Sequence, residues 1–161
     1  MSISQLLEPD RRFMKEALRQ AEYALEAGEV PVGAVVVHNQ LIVGRGHNQV
    51  ERLQDPTAHA EIIAITAACE TLGSKYLSDC TLYVTLEPCP MCAGALVQSK
   101  LLRLVYGALD AKAGADCSLF TITNDPRLNP RVQSISGVME DESASMLRHF
   151  FSTKRLPSKT R

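Results

Sequence analysis

The sequence contains no tryptophan, and its aromatic residues are limited to four tyrosines and four phenylalanines. We therefore expect a core built from Leu, Val, Ile and Ala. No apolar run approaches the roughly 20 residues that a membrane-spanning helix needs. The stretch MSISQLLEPDRRF at the amino terminus lacks the charged segment and the apolar segment of a signal peptide. These absences predict a cytoplasmic protein with no membrane partner.

Cysteine occurs in an odd number, five, which does not suit a framework of paired thiols. In a chain without a signal peptide, this number predicts reduced thiols in a reducing compartment. We interpret Cys69, Cys80 and Cys117 as small buried hydrophobic residues. Cys89 and Cys92 have a spacing typical of metal binding, and Cys80 is kept as an alternative fourth ligand.

Acidic residues are missing from the carboxyl-terminal end. All eighteen Asp and Glu lie within 1–147, beside twelve of the seventeen Lys and Arg, which gives this part a net charge of −6. Residues 148–161 carry five Lys or Arg and no acid. The whole chain, with a net charge of −1, gives no sign of a nucleic-acid binder. The basic segment is therefore either a solvated tail or a local patch that contacts phosphates.

Hydrophobic periodicity predicts an alternation of helices and strands. The predicted helices are 10–27, 58–72, 89–99 and 141–155, and the predicted strands are 30–38, 41–46, 80–86, 101–108 and 132–138. Residues 110–130 are predicted to form a long connection. This order predicts a mixed five-stranded sheet covered by helices on both faces, a three-layer α/β/α sandwich. We expect one domain over 1–161, with a basic carboxyl-terminal helix and tail over 141–161.

Two short motifs contain residues typical of a metal centre. His59 and Glu61 stand in a His-x-Glu motif, and Cys89 and Cys92 stand in a Pro-Cys-x-x-Cys motif. Each motif opens a predicted helix, and the i, i+3 spacing of the cysteines puts both thiolates on one side of a first turn. A structural zinc site has four protein ligands, whereas a catalytic site has three and keeps a water. The motifs supply three ligands and leave Glu61 as a base, so they predict one Zn²⁺ in an open, catalytic site.

The combined signature is that of the zinc nucleobase deaminases. Within that cytidine/deoxycytidylate deaminase-like superfamily, the sequence resembles the bacterial tRNA-specific adenosine deaminases (the TadA family). The stretches DPTAHAEI, TLEPCPMCAGA and DAKAGA carry the resemblance most specifically. The resemblance implies a cytidine deaminase-like fold, a homodimer and a tRNA substrate, with the anticodon stem-loop of tRNA-Arg as the expected target.

The reaction that this resemblance implies is hydrolytic deamination of adenosine to inosine at the wobble position of the anticodon loop. Zn²⁺ held by three ligands lowers the pKa of its water towards ~7. Glu61 is then expected to take the water proton, pass it to the ring N1 and protonate the departing amino group. Glu61 is therefore the predicted catalytic residue, and His59, Cys89 and Cys92 are the predicted zinc ligands.

The resemblance also implies contacts between this chain and the RNA. The predicted substrate-binding residues are Asn48, Asp110, Lys112, Phe150, Phe151, Lys154 and Arg155. The Asn48 amide can donate and accept at once, as the reading of a base requires. Aromatic rings stack on splayed bases, and basic side chains meet phosphates. Pro130 and Leu109 depart from the family pattern in the segment expected to contact RNA.

Three other functions fit parts of the pattern. A deaminase of free guanine, cytosine or a nucleoside would use the same zinc motif but would not need the basic tail. A zinc-stabilised RNA-binding module would leave Glu61 idle. A thiol redox protein would use Cys89 and Cys92 as a pair and would leave the His-x-Glu motif unexplained.

Overall fold

The computed structural model describes residues 2–154, and this part of the chain includes one mixed sheet. Its strands are β1 (Gly33–His38), β2 (Leu41–His47), β3 (Thr81–Leu86), β4 (Arg103–Ala108) and β5 (Gln133–Ile135). Their order across the sheet is β2-β1-β3-β4-β5. β1 runs antiparallel to β2 and β3, whereas β3, β4 and β5 run parallel to one another. The predicted mixed five-stranded sheet is therefore confirmed.

Helices cover both faces of this sheet. They are α1 (Ile3–Glu26), α2 (Val50–Leu53), α3 (Ala60–Leu72), α4 (Pro90–Gln98) and α5 (Glu140–Lys154). On one face, Phe13 and Met14 of α1 pack with Val35 and Val105 of the sheet. On the other face, the alanines of α3 and Leu96 of α4 pack on the opposite side of the same strands. This arrangement confirms the three-layer α/β/α sandwich.

Some predicted boundaries were wrong. Helix α1 begins at Ile3 and not at residue 10, because Ser2 and Gln5 form a capping box that satisfies free backbone N–H groups. No helix was predicted from the sequence within 47–57, but this segment contains the single helical turn α2. The last strand is reduced to Gln133–Ile135.

Two glycines of β2 allow α3 to pack closely on the sheet. A Cβ atom on Gly44 would collide with the backbone oxygen of Ala64, and one on Gly46 would collide with that of Ala60. Only glycine permits this approach, because a side chain would push the helix away from the sheet. The amino terminus of α3 is thereby held against the end of β2, close to the carboxyl end of β3.

The described residues also bear on two other predictions. None of the helices within 2–154 is long and apolar enough to cross a membrane. Arg155 and the tail that follows it lie outside the described residues, so the predicted contact of Arg155 stays a prediction.

Candidate active site

The predicted metal ligands lie at the amino termini of two helices. His59 directly precedes α3, and Cys89 directly precedes α4, with Cys92 in the first turn of α4. Since α4 follows β3 and α3 leads back to the start of β3, both helices begin at the carboxyl end of that strand. Helix amino termini carry partial positive charge, which favours thiolates.

The three ligand side chains converge. The His59 Nδ1 atom lies 3.5 Å from the Cys89 Sγ and 3.5 Å from the Cys92 Sγ. The three ligand atoms lie within 4.8 Å of one another, and within residues 2–154 they form the one such cluster. Cys80 is not a member of it, so the alternative of Cys80 as a fourth ligand finds no support. One imidazole and two sulfurs are a donor set that suits Zn²⁺.

The other cysteines behave differently from one another. Cys80 is fully buried, as predicted, whereas Cys69 is only partly buried. Cys117 is exposed, so its interpretation as a buried hydrophobic residue was wrong. Cys117 lies in the connection that follows β4. Its sulfur is 3.2 Å from the hydroxyl of Tyr106, a residue of β4.

The two cysteines of the cluster shift each other's pKa in opposite directions. The S–H of Cys92 donates to Cys89 and lowers the pKa of Cys89 to about 4; burial opposes this shift, and the nearby His59 adds to it. The pKa of Cys92 is raised, first because it donates to Cys89 and then because it is buried. The lowered pKa of Cys89 favours a thiolate beside the His59 imidazole, and a metal cation requires deprotonated ligands of this kind.

Glu61 is buried beside these ligands in the first turn of α3, with 4% of its surface exposed. Burial raises the pKa of its carboxyl, although hydrogen bonding from the Cys92 thiol and the neighbouring His59 lower it. Burial disfavours the charged form of a carboxyl, so the protonated form is accessible here at higher pH than in water. Such a group is suited to accept and return a proton.

A cavity of about 740 Å³ opens onto the cluster. His59, Cys89 and Glu61 line it, and so do five of the predicted substrate-binding residues: Asn48, Asp110, Phe150, Phe151 and Lys154. Lys112 is exposed and does not line the cavity; its backbone N–H donates to the Asp110 carboxylate. The volume falls in the range of pockets for small organic ligands.

Asn48 contributes an amide that is only partly used. Its side-chain N–H donates to the Val30 carbonyl at 3.2 Å, and its Oδ1 accepts from the Val50 N–H at 3.2 Å. A primary amide has two N–H donors and two acceptor lone pairs. One donor and one acceptor position therefore remain for a ligand in the cavity.

The last turns of α5 form another side of the cavity. The rings of Phe150 and Phe151 contact each other edge to face, with centroids 5.2 Å apart. Phe150 is buried at 7% exposure, whereas Phe151 is 44% exposed. The Lys154 ammonium lies 5.5 Å from the Phe150 ring centroid. One aromatic ring therefore belongs to the core and supports the other, which is available for stacking.

Two buried carboxylates of this cavity were not predicted as site residues. Glu29 is 2% exposed, and its oxygens accept from the backbone N–H groups of Glu51 and Arg52, both at 2.9 Å. These bonds hold the first turn of α2 next to Asn48. Glu87, also 2% exposed, accepts hydrogen bonds from backbone N–H groups of the connection after β4. A single acid inside an otherwise apolar stretch, as in GEVPVGA and TLEPCP, is the sequence signal that could have revealed them.

Known proteins match this chain over most of its length. Residues 8–155 match the MafB19-like deaminase family. The tRNA-specific adenosine deaminase of Aquifex aeolicus (strain VF5) is 50% identical over 143 residues, which cover 89% of this chain and 94% of that protein. The family match thus includes both halves of the metal-binding motif.

Two solved structures are similar in fold. One comes from a study of A-to-I editing by tRNA:A34 deaminases at the wobble position of transfer RNA; it has a TM-score of 0.81 and 45% identity and covers 84% of this chain and 99% of that chain. The other, a guanine deaminase from Nitrosomonas europaea, has a TM-score of 0.74 and 26% identity over 88% of this chain and 84% of that chain. The cytidine deaminase-like fold is therefore confirmed, and the greater similarity to tRNA deaminases disfavours a free-base deaminase. With half of its residues shared over nearly its whole length, the chain belongs to the family of tRNA-specific adenosine deaminases.

Proposed function

We propose that this protein hydrolytically deaminates adenosine to inosine at the wobble position of a tRNA anticodon loop. The observation that carries the proposal is the convergence of His59, Cys89 and Cys92 beside the buried Glu61, at the wall of one cavity. This convergence occurs in a chain that is 50% identical to a tRNA-specific adenosine deaminase. The substrate follows from the family, and the chemistry follows from the cluster.

We propose that His59, Cys89 and Cys92 hold one Zn²⁺ per chain. Zn²⁺ bound there supplies a Lewis acid that lowers the pKa of water and so provides a nucleophile at neutral pH. Glu61 receives the proton of the attacking water on its carboxylate and delivers it to N1 of the adenine ring. Glu61 then takes the proton of the hydroxyl group added at C6 and gives it to the 6-amino group. The bond between C6 and this nitrogen breaks, ammonia leaves and the C6 carbonyl of inosine forms. The burial of Glu61 supports this role, because it makes the protonated form accessible.

We propose that Asn48 contacts the base. Its remaining N–H donor and its remaining acceptor position suit a ligand that also carries both a hydrogen-bond donor and an acceptor, such as the edge of a purine. The two backbone hydrogen bonds to Val30 and Val50 keep the amide from rotating. Deamination of a base in a loop requires that the base leave its stack, and a fixed amide can select the base that enters.

We propose that the residues at the cavity rim contact the rest of the anticodon loop. Phe151 offers an exposed ring for stacking on a base, with Phe150 packed behind it. Lys154 and Arg155 would meet phosphates, since each is basic and follows these rings along the chain. Asp110 at the rim and Lys112 beside it would contact the backbone of the loop.

Inosine formation in tRNA tests this function. Purified protein is incubated with total tRNA and with free guanine, cytosine and adenosine, and the tRNA is then sequenced for A-to-G reads. We expect A-to-G reads at the wobble position, no change in the free compounds, and one zinc per chain by elemental analysis. Deamination of a free compound without editing of tRNA would assign the protein to the alternative class.

Other features of the family stay proposals for this chain. A homodimer, tRNA-Arg as the edited tRNA and a cytoplasmic location are proposed from the resemblance. Met91, which directly precedes the ligand Cys92, is 37% exposed in the single chain, which supports burial of this face by a second copy. Sequencing the edited tRNA identifies the substrate, and sedimentation of the purified protein measures the oligomeric state.

A further inference from the structure

We propose that Glu87 is a positioning residue, whose carboxylate holds the 110–118 loop in place as one wall of the cavity. The inference rests on the proposed function, and it assigns to Glu87 a role in substrate binding and none in proton transfer. Glu87 lies two residues before the proposed ligand Cys89, and only 2% of its surface is exposed.

The Glu87 carboxylate receives hydrogen bonds from four backbone N–H groups of the loop. The Oε1 atom accepts from Asp110 at 3.1 Å, and it also accepts from the Ser118 hydroxyl. The Oε2 atom accepts from Asp116 at 3.1 Å, from Cys117 at 2.9 Å and from Ser118 at 3.0 Å. A carboxylate offers about four acceptor positions. Five donors saturate them, so no position is left for a substrate proton.

The backbone on either side of Glu87 strengthens the same connection. The Glu87 N–H donates to the Ala108 carbonyl at 2.9 Å, and the Pro88 carbonyl accepts from the Ala115 N–H at 2.8 Å. The segment that leads into the zinc ligands is thereby joined to the end of β4 and to the loop that follows. A displacement of this loop changes the cavity without removing a ligand of the metal.

The loop in turn presents residues to the cavity. Asp110 and Ala113 line it, and the Asp110 carboxylate is turned inward on its own loop by the N–H groups of Lys112 at 3.0 Å and Ala113 at 3.2 Å. The shape of this wall therefore depends on where the loop amides are held. Since four of these amides donate to one carboxylate, Glu87 holds the loop that forms this wall.

A glycine in the loop makes room for this carboxylate. A Cβ atom on Gly114 would collide with the Cδ, Oε1 and Oε2 atoms of Glu87. The close approach places the loop backbone directly over the carboxylate. This gives a second way to disturb the link, which leaves the charge of Glu87 unchanged.

The test uses the full-length zinc-loaded protein and the variants Glu87→Gln, Gly114→Ala and Ser118→Ala. In Glu87→Gln, an NH₂ group replaces an acceptor that faces N–H donors. We expect faster hydrogen exchange at the amides of 110 and 116–118, a KM for the anticodon stem-loop raised about 10-fold or more, a smaller change in kcat, and unchanged zinc content. Gly114→Ala should act in the same direction, and Ser118→Ala, which removes one hydroxyl donor, should act more weakly.

Two controls separate positioning from general loss of stability. Asp10→Asn removes another buried carboxylate, which is bonded to Tyr83 and Arg103 and does not line the cavity; it should lower the melting temperature and leave KM unchanged. Glu70→Gln changes an exposed carboxylate of α3 and should change neither.

Each result decides between the roles. Faster exchange in the loop with an unchanged KM would make Glu87 a structural residue and overturn the proposal. Unchanged exchange would show that the carboxylate does not hold the loop. If Glu87→Gln does not fold, Ser118→Ala and Gly114→Ala decide by the same two measurements. A wild-type protein that edits no tRNA would instead overturn the proposed function, while the exchange measurement would still test the link.

Discussion

Two buried glutamates line the same cavity and have opposite surroundings. Glu61, at the start of α3, has burial as the largest influence on its carboxyl, and its pKa is raised. Glu87, at the end of β3, is buried as well, which would raise its pKa, but hydrogen bonds from Cys117, Ser118 and Asp110 outweigh this and lower the pKa. Burial alone therefore does not decide what a carboxylate does.

The number of donors explains the difference. A carboxylate that accepts several N–H bonds keeps its negative charge and cannot take up a proton without losing those bonds. A buried carboxylate that accepts few hydrogen bonds lacks this stabilisation of its charged form, so it takes up a proton more readily. In one cavity, the first kind holds the wall and the second kind is suited to chemistry.

The largest expected effect comes from replacing Glu61, the glutamate suited to proton transfer. Glu61→Gln keeps the size of the side chain but removes the group that carries protons, so deamination should fall by ~10²–10⁴-fold. Single-turnover assays on an anticodon stem-loop measure this rate. Zinc content and melting temperature should stay close to those of the wild type, because Gln fills the same space.

A matched control for Glu61 lies on the same helix. Glu70→Gln makes the same change at an exposed position of α3 and should leave the rate unchanged. If Glu61→Gln were as active as Glu70→Gln, another group would have to move the protons.

A smaller effect is expected in the dependence of stability on pH. Because the pKa of Glu87 is lowered from 4.5 by folding, its charged form stabilises the native state above the ordinary pKa, and this contribution is lost as pH falls through the folded pKa. The free energy of unfolding of the wild type should therefore exceed that of Glu87→Gln at pH 7. The difference should shrink as the pH is lowered below 4.5.

Urea unfolding of both proteins over a series of pH values measures this difference. Loss of zinc at low pH affects both proteins alike, so the difference between them isolates the carboxylate. A difference that does not change with pH would mean that Glu87 acts through its shape and not through its charge.

The smallest effect is expected at Lys154, which lines the cavity but contacts neither glutamate through a hydrogen bond or ion pair that the structure describes. If its ammonium meets one phosphate, Lys154→Ala should lower the slope of log K against log[salt] by about 0.7 for a single-stranded loop. The rate of the bound complex should not change. Titrations of a labelled stem-loop at several salt concentrations measure the slope.

Lys75→Ala serves as the control for Lys154. Lys75 is exposed and lies over Tyr76, and it does not line the cavity. If the salt-dependence slopes of Lys154→Ala and Lys75→Ala were equal, Lys154 would not contact a phosphate. The basic segment would then be a solvated tail, which is its other interpretation.

Much of the fold could be predicted from the chain itself. Helix α3 and the apolar strands depend on neighbours within a few residues, so local patterns are sufficient to find them. The short helix α2 and the exposure of Cys117 were missed. Helix α2 is held by Glu29, more than twenty residues earlier in the chain, and no local pattern contains that contact.

The sequence by itself was sufficient to predict three ligands and a base that the fold brings together, because the predicted ligands come from two short motifs whose spacing reflects a helical turn. Tertiary structure alone decided which glutamate receives few hydrogen bonds and which is saturated with donors. The donors to Glu87 lie 23 to 31 residues further along the chain and reach it only when the loop after β4 folds back over β3. It also decided that Phe150 is buried and Phe151 exposed, because the packing of α5 on the sheet selects which of two adjacent rings faces the core.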